Sequence, residues 1–364
     1  MQIFDRLADG DYEQVVFCHD AKVGLRAIVA VHDTTLGPGL GGTRMYPYPS
    51  DGDALEDVLR LARMMTYKSA AAGLDLGGGK AVIIGDPRTA KSEGLLRAYG
   101  RFIEALGGRF ITAEDVGTTQ ADMDLIRRET GWVTGVSPSY GGSGDPSEAT
   151  AVGVLHAMRA VAAHLWGSPG LGDRHIAISG VGKVGSALAG HLAEEGARIT
   201  VADVVPAAAE AMVTRYGTAT VPPEKAHAVD CDLFAPCAFG GALNPATIPE
   251  LRCRAVVGAA NNQLADASCP ARLAEAGVLW APDFVVNAGG IINVADELDG
   301  YDPERAKASV GRIFATTAAV LAAAEAEGIH PLDAATRLAE RRIASVGAAR
   351  RLRVSGRQGR AGRR

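Results

Sequence analysis

Apolar and polar residues alternate along the first part of the chain in a pattern that predicts strands and helices. Residues 13–20 and 24–33 are rich in β-branched and apolar residues and end at charged ones, which is typical of strands. In residues 53–70 the apolar positions recur every three or four residues, which predicts an amphipathic helix. Residues 36–49 contain several glycines and prolines and are predicted to form a loop.

The same reasoning predicts an α/β pattern for the rest of the chain. Residues 174–204 follow the order strand, turn, helix, strand, and such alternation favours a doubly wound parallel sheet. Further strands are predicted at 80–86, 109–115, 231–238, 254–260 and 277–290, and further helices at 91–108, 147–167, 303–328 and 331–349.

The length and the change in pattern predict two domains. A chain of 364 residues is too long for one typical core. We expect a substrate or catalytic domain over 1–140 and a dinucleotide-binding domain over 141–330, with the helix at 331–349 packing back on the first domain. Residues 350–364 contain seven arginines and no acid, and we predict a solvated, disordered tail, with a nucleic-acid-binding arm as the alternative.

The composition excludes several classes of protein. The formal net charge of −5 argues against a nucleic-acid-binding protein, and no stretch has the roughly 18 apolar residues of a membrane span. The first residues carry charges where a signal peptide would need an apolar core. Five cysteines without a CxxC pair predict free thiols in a reducing cytoplasm, and the scattered histidines predict no metal site.

One glycine-rich motif predicts a dinucleotide site. The segment runs Gly180, Val181, Gly182, Lys183, Val184, Gly185, which fits G-x-G-x-x-G between a strand and a helix. Gly180 would allow a tight turn, Gly182 a close approach by a pyrophosphate, and Gly185 close packing of helix and strand. Asp203 ends the next strand and could bind a ribose 2′-hydroxyl, which favours NAD over NADP. The alternative is a glycine-rich turn in a non-binding α/β domain.

Two lysines and an acidic motif predict a catalytic site. Lys68 lies at the edge of the apolar face of its helix, and Lys80 follows three glycines whose missing side chains would admit a ligand. Asp115 ends a predicted strand, where α/β sheets present catalytic groups. A lysine near a second cation can act as a general base when a carboxylate exchanges protons with it. Alternatively, Lys68 points outward, Lys80 is a solvated residue, and Asp115 caps a helix.

Seven motifs in order resemble those of the glutamate/leucine/phenylalanine/valine group of amino-acid dehydrogenases, the leucine and actinobacterial valine dehydrogenases above all. The motifs are LGGTRMYPY, MTYKSAAAGLDLGGGKAVIIGDP, GGRFITAEDVGT, GVGKVG, APCAFGGALN, AANNQLA and VVNAGGIINVADE. The likeness covers about residues 15–342. It implies an N-terminal substrate domain, a Rossmann-type NAD domain and a homo-oligomer.

The resemblance also implies residue roles. Lys68 would bind the substrate α-carboxylate with help from the backbone of Gly41 and Gly42. Lys80 would activate water as general base, and Asp115 would be its partner in proton transfer and in binding the amine. Further substrate contacts are implied for Met65 and Asn262. Contacts with NAD are implied for Thr150, residues 180–185, Asp203, Ala238 and Asn261. The implied reaction is reversible oxidative deamination of an amino acid to its 2-oxo acid and ammonium.

Three apolar residues predict the class of substrate. Glutamate-specific relatives place a lysine and a serine where Leu40 and Val294 stand here. Leu40, Ala113 and Val294 cannot pair a side-chain carboxylate, and burying it unpaired is costly. We therefore expect valine, leucine or isoleucine as substrate, with phenylalanine as the alternative. Two different functions compete with amino-acid oxidation: that of a 2-hydroxy-acid dehydrogenase and that of a catalytically silent dinucleotide-binding regulator.

Overall fold

The chain folds into two units. The computed structural model describes residues 3–238 and 240–349, so the predicted tail at 350–364 lies outside the described residues. Within them, unit 1 comprises residues 3–145, 291–306 and 339–349, and unit 2 comprises 146–290 and 307–338. Residues 291–306, assigned from the sequence to the second domain, thus group with unit 1.

Unit 1 is built on a five-stranded mixed sheet with helices on both faces. Its first elements are α1 (Ile3–Gly10), β1 (Gln14–Asp20), β2 (Leu25–Asp33), β3 (Gly39–Tyr46), α2 (Asp51–Ala71), β4 (Gly77–Ile84), α3 (Glu93–Ala105), β5 (Phe110–Glu114) and α4 (Gln120–Arg127). The strand order is β1-β2-β4-β3-β5. The strand β3 is parallel to both β4 and β5, so these three strands end at the same edge of the sheet.

The segment predicted to be a loop contains the strand β3, so this prediction is wrong. Its glycines allow β3 to lie close between two neighbours. A Cβ on Gly41 would lie 1.8 Å from the carbonyl oxygen of Gly79 on β4, and a Cβ on Gly42 would lie 2.5 Å from that of Glu114 on β5. Glycine therefore serves here as a strand residue where the backbones of β4 and β5 lie too close to β3 to leave room for a side chain.

The three glycines before Lys80 also pack against protein atoms, which corrects the expectation that they admit a ligand. They belong to β4. A Cβ on Gly77 would meet the carbonyl oxygen of Asp33, one on Gly78 would meet Thr66 of α2, and one on Gly79 would meet the ring of Phe110. The run of glycines thus lets α2 and the neighbouring strands approach β4.

Unit 2 is built on a six-stranded parallel sheet of the predicted doubly wound type. Its elements are α5 (Ser147–Trp166), β6 (His175–Ser179), α6 (Lys183–Glu194), β7 (Arg198–Ala202), α7 (Pro206–Tyr216), β8 (Ala219–Thr220), β9 (Leu233–Pro236), β10 (Ala255–Val256), α8 (Cys269–Glu275), β11 (Leu279–Trp280), α9 (Asp283–Val286) and α12 (Ile313–Glu327). The strand order is β11-β10-β9-β6-β7-β8. The chain therefore reverses its direction across the sheet between β6 and β9, the usual place for a ligand in such sheets.

Three further α-helices of the described residues each contain residues of both units. These are α10 (Gly289–Asp296), α11 (Pro303–Gly311) and α13 (Pro331–Ala349). The single helix predicted at 303–328 is in fact α11 followed by α12, separated by a turn in which the N–H of Arg312 donates to the carbonyl of Ser309. In unit 1, Ala339 of α13 packs with Leu36 and Ala70, and the side chain of Arg342 donates to the Leu74 carbonyl.

The described residues contain neither a helix able to span a membrane nor a cluster of metal-binding side chains. No helix among residues 3–238 and 240–349 combines the length and apolar character that crossing a bilayer requires. Over the same residues, no three side chains of His, Cys, Asp or Glu are grouped so that they could hold a metal ion.

Candidate active site

Lys80 and Asp115 form a buried ion pair in unit 1. The Nζ of Lys80 lies 2.9 Å from Oδ2 of Asp115, and the Lys80 side chain is only 7% exposed. Lys80 shares one face of β4 with Val82, which packs against α2, so the lysine projects from the α2 side of the sheet. The interpretation of Lys80 as a solvated residue is therefore wrong.

The loop that carries Asp115 is held by the backbone of β3. The hydroxyl of Thr118 donates to the carbonyl of Thr43 at 2.8 Å and accepts from the N–H of Asp115 at 2.9 Å. The N–H of Met45 donates to the carbonyl of Val116. The next helix, α4, is capped by Thr119, so the interpretation of Asp115 as its cap is also wrong.

Arg44 is a second cation at Asp115, and sequence analysis missed it. Its Nε donates to Oδ2 of Asp115 at 3.1 Å, and its NH1 donates to Oδ2 of Asp57 on α2 at 2.9 Å. Asp57 also accepts from the hydroxyl of Tyr48 at 2.6 Å and from Arg60 at 2.8 Å. The only sequence signal was the place of Arg44 in the motif LGGTRMYPY.

These cations keep Asp115 ionised. Burial by itself would raise the pKa of Asp115, but the charges of Lys80 and Arg44, together with the hydrogen bonds it accepts, outweigh burial and lower that pKa below its usual range. Burial likewise opposes the charge of Arg44, yet Asp115 and Asp57 raise its pKa. The site thus holds a carboxylate between two cations.

The other predicted residues of unit 1 lie on the same elements. Lys68 is half-buried on α2, between Thr66, which contacts Gly78, and Ser69, whose hydroxyl donates to the Gly77 carbonyl. The rest of the set comprises Gly41 and Gly42 of β3, buried Leu40 of β3, buried Ala113 of β5 paired with Gly42, half-buried Met65 of α2, and buried Val294 of α10.

Glu297 is another residue of unit 1 that sequence analysis missed, although it lies in the motif VVNAGGIINVADE. Its carboxylate accepts from the N–H of Gly135 at 3.0 Å and from the N–H and hydroxyl of Ser143 at 2.7 and 2.5 Å. Burial raises the pKa of Glu297 more than these hydrogen bonds lower it. Glu297 thereby ties the segment just after Val294 to the loop at 135–143.

In unit 2 the three glycines of the motif have three different surroundings. Gly180 has φ +95°, and a Cβ there would lie 2.6 Å from that of Ala238. A Cβ on Gly185 would lie 2.0 Å from the carbonyl oxygen of Gly180, whereas one on Gly182 would meet nothing within 4 Å. The backbone at Gly182 is thus open at the start of α6, where helix N–H groups favour an anion.

Asp203 and Ala238 lie beside this glycine loop. The two carboxylate oxygens of Asp203 accept from the N–H of Val181 and of Val205, both at 2.8 Å. Ala238 follows β9 and contacts Gly180, which follows β6, so this contact lies where the strand order reverses. Lys183 and Val184 begin α6.

Two asparagines and a threonine complete the predicted set in unit 2. The side-chain oxygen of Asn261 accepts from the amide of Asn287 at 2.8 Å. Asn262 has φ +52°, a conformation rare outside glycine, and its carbonyl accepts from the N–H of Gly241. Thr150 of α5 donates to the Pro146 carbonyl, and its hydroxyl lies 2.8 Å from where a Cβ of Gly290 would be. Sequence analysis did not single out Asn287.

The sequence matches two models of one protein family. Residues 12–132 match the Glu/Leu/Phe/Val dehydrogenase dimerisation domain, and residues 141–208 and 207–351 match Glutamate/Leucine/Phenylalanine/Valine dehydrogenase. The chain is 52% identical to a leucine dehydrogenase of Geobacillus stearothermophilus, over 96% of this chain and 95% of that one. It is 53% identical to a valine dehydrogenase of Streptomyces coelicolor, over 93% of each chain.

A solved structure shares the fold as well as the sequence. The crystal structure of L-tryptophan dehydrogenase from Nostoc punctiforme superposes with a TM-score of 0.83 at 43% identity, covering 94% of this chain and 99% of that one.

We predict that alanine affects stability at one glycine of the unit 2 motif and dinucleotide binding at another. Gly185→Ala should lower the free energy of unfolding by about 1–3 kcal/mol, because the added methyl overlaps the Gly180 carbonyl. Gly182→Ala should leave stability within about 0.5 kcal/mol of the wild type but weaken dinucleotide binding. Urea unfolding and calorimetric titration with NAD measure the two quantities. Normal NAD affinity in Gly182→Ala would contradict the assignment of that backbone to the ligand.

Proposed function

The chain belongs to the Glu/Leu/Phe/Val dehydrogenase family, and we propose that it catalyses the NAD-dependent, reversible oxidative deamination of a branched-chain L-amino acid. Membership makes it an amino-acid dehydrogenase, an oxidoreductase. The observation that supports the proposed chemistry most directly is the 2.9 Å contact between the buried Lys80 side chain and the Asp115 carboxylate, a distance at which the two groups can exchange a proton.

The proposed roles of the charged residues follow from their placement. Lys68 binds the substrate α-carboxylate, and the amides of Gly41 and Gly42 assist. Lys80, in its neutral form, takes a proton from the water that attacks the imine carbon of the oxidised substrate. Asp115 lies within hydrogen-bonding distance of Lys80 and exchanges protons with it as the amine leaves. Asn262 contributes a further contact with the substrate.

The residues of unit 2 fit a dinucleotide. The open backbone at Gly182 and the N-terminus of α6 suit a pyrophosphate, and the carboxylate of Asp203 suits a ribose diol. Further contacts are assigned to Val181, Lys183, Val184, Thr150, Ala238 and Asn261. A dinucleotide held by these residues would supply the nicotinamide ring as acceptor for the hydride of the substrate Cα. Because Asp203 would repel a 2′-phosphate, we assign NAD rather than NADP.

The apolar side chains of Leu40, Ala113, Met65 and Val294 support an aliphatic substrate. An unpaired side-chain carboxylate would be costly among them. The similarity to leucine and valine dehydrogenases supports the same substrate class. We also propose that the enzyme is a homo-oligomer, supported by its match to a dimerisation domain, and that it is cytoplasmic, in keeping with five cysteines that are all free thiols.

A panel of L-amino acids tests the proposed function. NADH formation from valine, leucine, isoleucine, phenylalanine, tryptophan and glutamate is followed by absorbance, with lactate as a 2-hydroxy acid. We expect kcat/KM to be highest for the branched-chain substrates and negligible for glutamate. A preference for phenylalanine or tryptophan would overturn the substrate class. Oxidation of lactate alone would indicate a 2-hydroxy-acid dehydrogenase, and oxidation of none of these compounds would indicate a silent regulator.

We predict that Lys80→Ala lowers kcat by roughly 10²–10⁴-fold, the usual contribution of a general base, while the Kd for NAD stays near that of the wild type. The matched control is Lys91→Ala, because Lys91 also pairs with an aspartate of unit 1, Asp122, at 2.7 Å. We expect the control to retain its kcat. Near-normal turnover in Lys80→Ala would remove Lys80 from the mechanism.

We predict that Asp203→Ala narrows the preference for NAD over NADP by about tenfold or more, because a hydrogen bond to a charged acceptor contributes about 1.5–3 kcal/mol. The ratio of kcat/KM for the two cofactors is the measurement, since it is insensitive to a general weakening of the loop that Asp203 also holds. Glu210→Ala, which removes an exposed charge from α7, is the control and should leave the ratio unchanged. A wild type that prefers NADP would contradict the assignment.

A further inference from the structure

Asp115 poses a problem for any mechanism in which Lys80 changes its protonation state. The carboxylate is buried, and part of what keeps it ionised is the charge of Lys80. When Lys80 is neutral, as a general base must be before it acts, that attraction is lost. A second cation that cannot lose its proton would keep Asp115 in place through this step, and arginine is such a cation.

Arg44 has the geometry for this task. Its guanidinium contacts the same oxygen, Oδ2 of Asp115, that contacts Lys80, at 3.1 and 2.9 Å respectively. Its NH1 donates to Oδ2 of Asp57 on α2, the oxygen that also accepts from the hydroxyl of Tyr48, whereas Arg60 contacts the other oxygen of Asp57. The planar, two-armed guanidinium can satisfy both carboxylates at once, whereas a lysine offers a single charged nitrogen.

The backbone of the Asp115 loop does not depend on this side chain. Thr43 and Met45, the neighbours of Arg44 on β3, hold the loop through the hydroxyl of Thr118 and the carbonyl of Val116. Loss of the Arg44 side chain therefore leaves the loop anchored. It changes the orientation and charge environment of the carboxylate.

We propose that Arg44 is a positioning residue that holds the Asp115 carboxylate against Lys80 while Lys80 gains and loses its proton. The proposal rests on the function proposed above, in which Lys80 is the general base. Asp115 pairs with Lys80 from β4 and with Arg44 from β3. Asp57 pairs with both Arg44 and Arg60, Lys68 lies further along α2, and Glu114 precedes Asp115 at the end of β5.

The test compares the pH profiles of Arg44→Gln, Arg44→Lys and the control Arg60→Gln with that of the wild type. For Arg44→Gln we expect kcat to fall by roughly 10–100-fold, part of the usual contribution of acid–base catalysis, with KM for the amino acid changed less than about threefold. A nearby cation favours the less protonated form of a titrating pair, so its loss should move the acid limb of kcat/KM to higher pH.

The other variants separate charge from geometry. Arg44→Lys keeps the positive charge but lacks a second nitrogen that could contact Asp57. The acid limb of its kcat/KM profile should therefore stay closer to that of the wild type, although its kcat is reduced. Arg60 contacts Asp57 just as Arg44 does, but the salt bridge to Asp115 comes from Arg44. Arg60→Gln should therefore match the wild type in both kcat and pH profile.

A second measurement, the pH dependence of the free energy of unfolding, does not depend on enzyme activity. A carboxyl whose folded-state pKa is depressed stabilises the fold above its unfolded pKa, and that stability is lost as pH falls through the folded pKa. Because Arg44→Gln raises the folded-state pKa of Asp115, its free energy of unfolding should begin to fall at a higher pH than in the wild type or Arg60→Gln. Coincident unfolding curves would overturn the contact that the proposal needs.

Three outcomes are distinguishable. A wild type that oxidises no amino acid overturns the proposed function and this proposal with it. An active wild type with unchanged kcat and pH profile in Arg44→Gln overturns the role of Arg44 alone, as does a large rise in KM at constant kcat, which would make Arg44 a substrate ligand. If Arg44→Gln does not fold, Asp57→Asn tests the same support, and a several-fold fall in kcat without an upward shift of the acid limb is expected.

Discussion

The close approach of three parallel strands is the constraint on which the candidate catalytic site depends. With side chains at Gly41 and Gly42, β3 could not lie between β4 and β5, because the added atoms would overlap the backbone at Gly79 and Glu114. That spacing brings the Lys80 ammonium of β4 to 2.9 Å from the Asp115 carboxylate after β5. The ion pair is thus a consequence of backbone packing that glycine makes possible.

The charged side chains of this site form a series of successive ion pairs rather than a single pair. Buried Lys80 and half-buried Asp115, Arg44 and Asp57 alternate in sign along contacts of 2.9–3.1 Å, so each charge has an opposite neighbour. A buried ion pair is weak evidence for stability, since desolvation offsets much of the attraction. In the proposed reaction this arrangement has a use, because Arg44 holds Asp115 beside Lys80 while the two exchange a proton.

Local patterns predicted much of unit 2 and less of unit 1. The strand, turn and helix around Gly180 are close in sequence, and the surroundings of Gly180, Gly182 and Gly185 agree with the packing expected for each. In unit 1 the partners are distant: Arg44 and Asp115 are 71 residues apart in the chain, and only the sheet register brings them together. The glycines of β3 were interpreted as a loop because their strand role depends on what a Cβ would touch, which no local pattern contains.

The two units handle negative charge by different means, and glycine serves each in a different way. In unit 1 the cations are side chains. Protein atoms occupy the space beside glycines 77–79, so these glycines let elements that carry charged side chains approach each other. In unit 2 the space beside Gly182 is open at the start of α6, and the peptide dipoles of a helix N-terminus favour an anion without any titrating group. Such a site suits a phosphate whose charge is constant through the reaction, whereas proton transfer needs side chains whose charge can change.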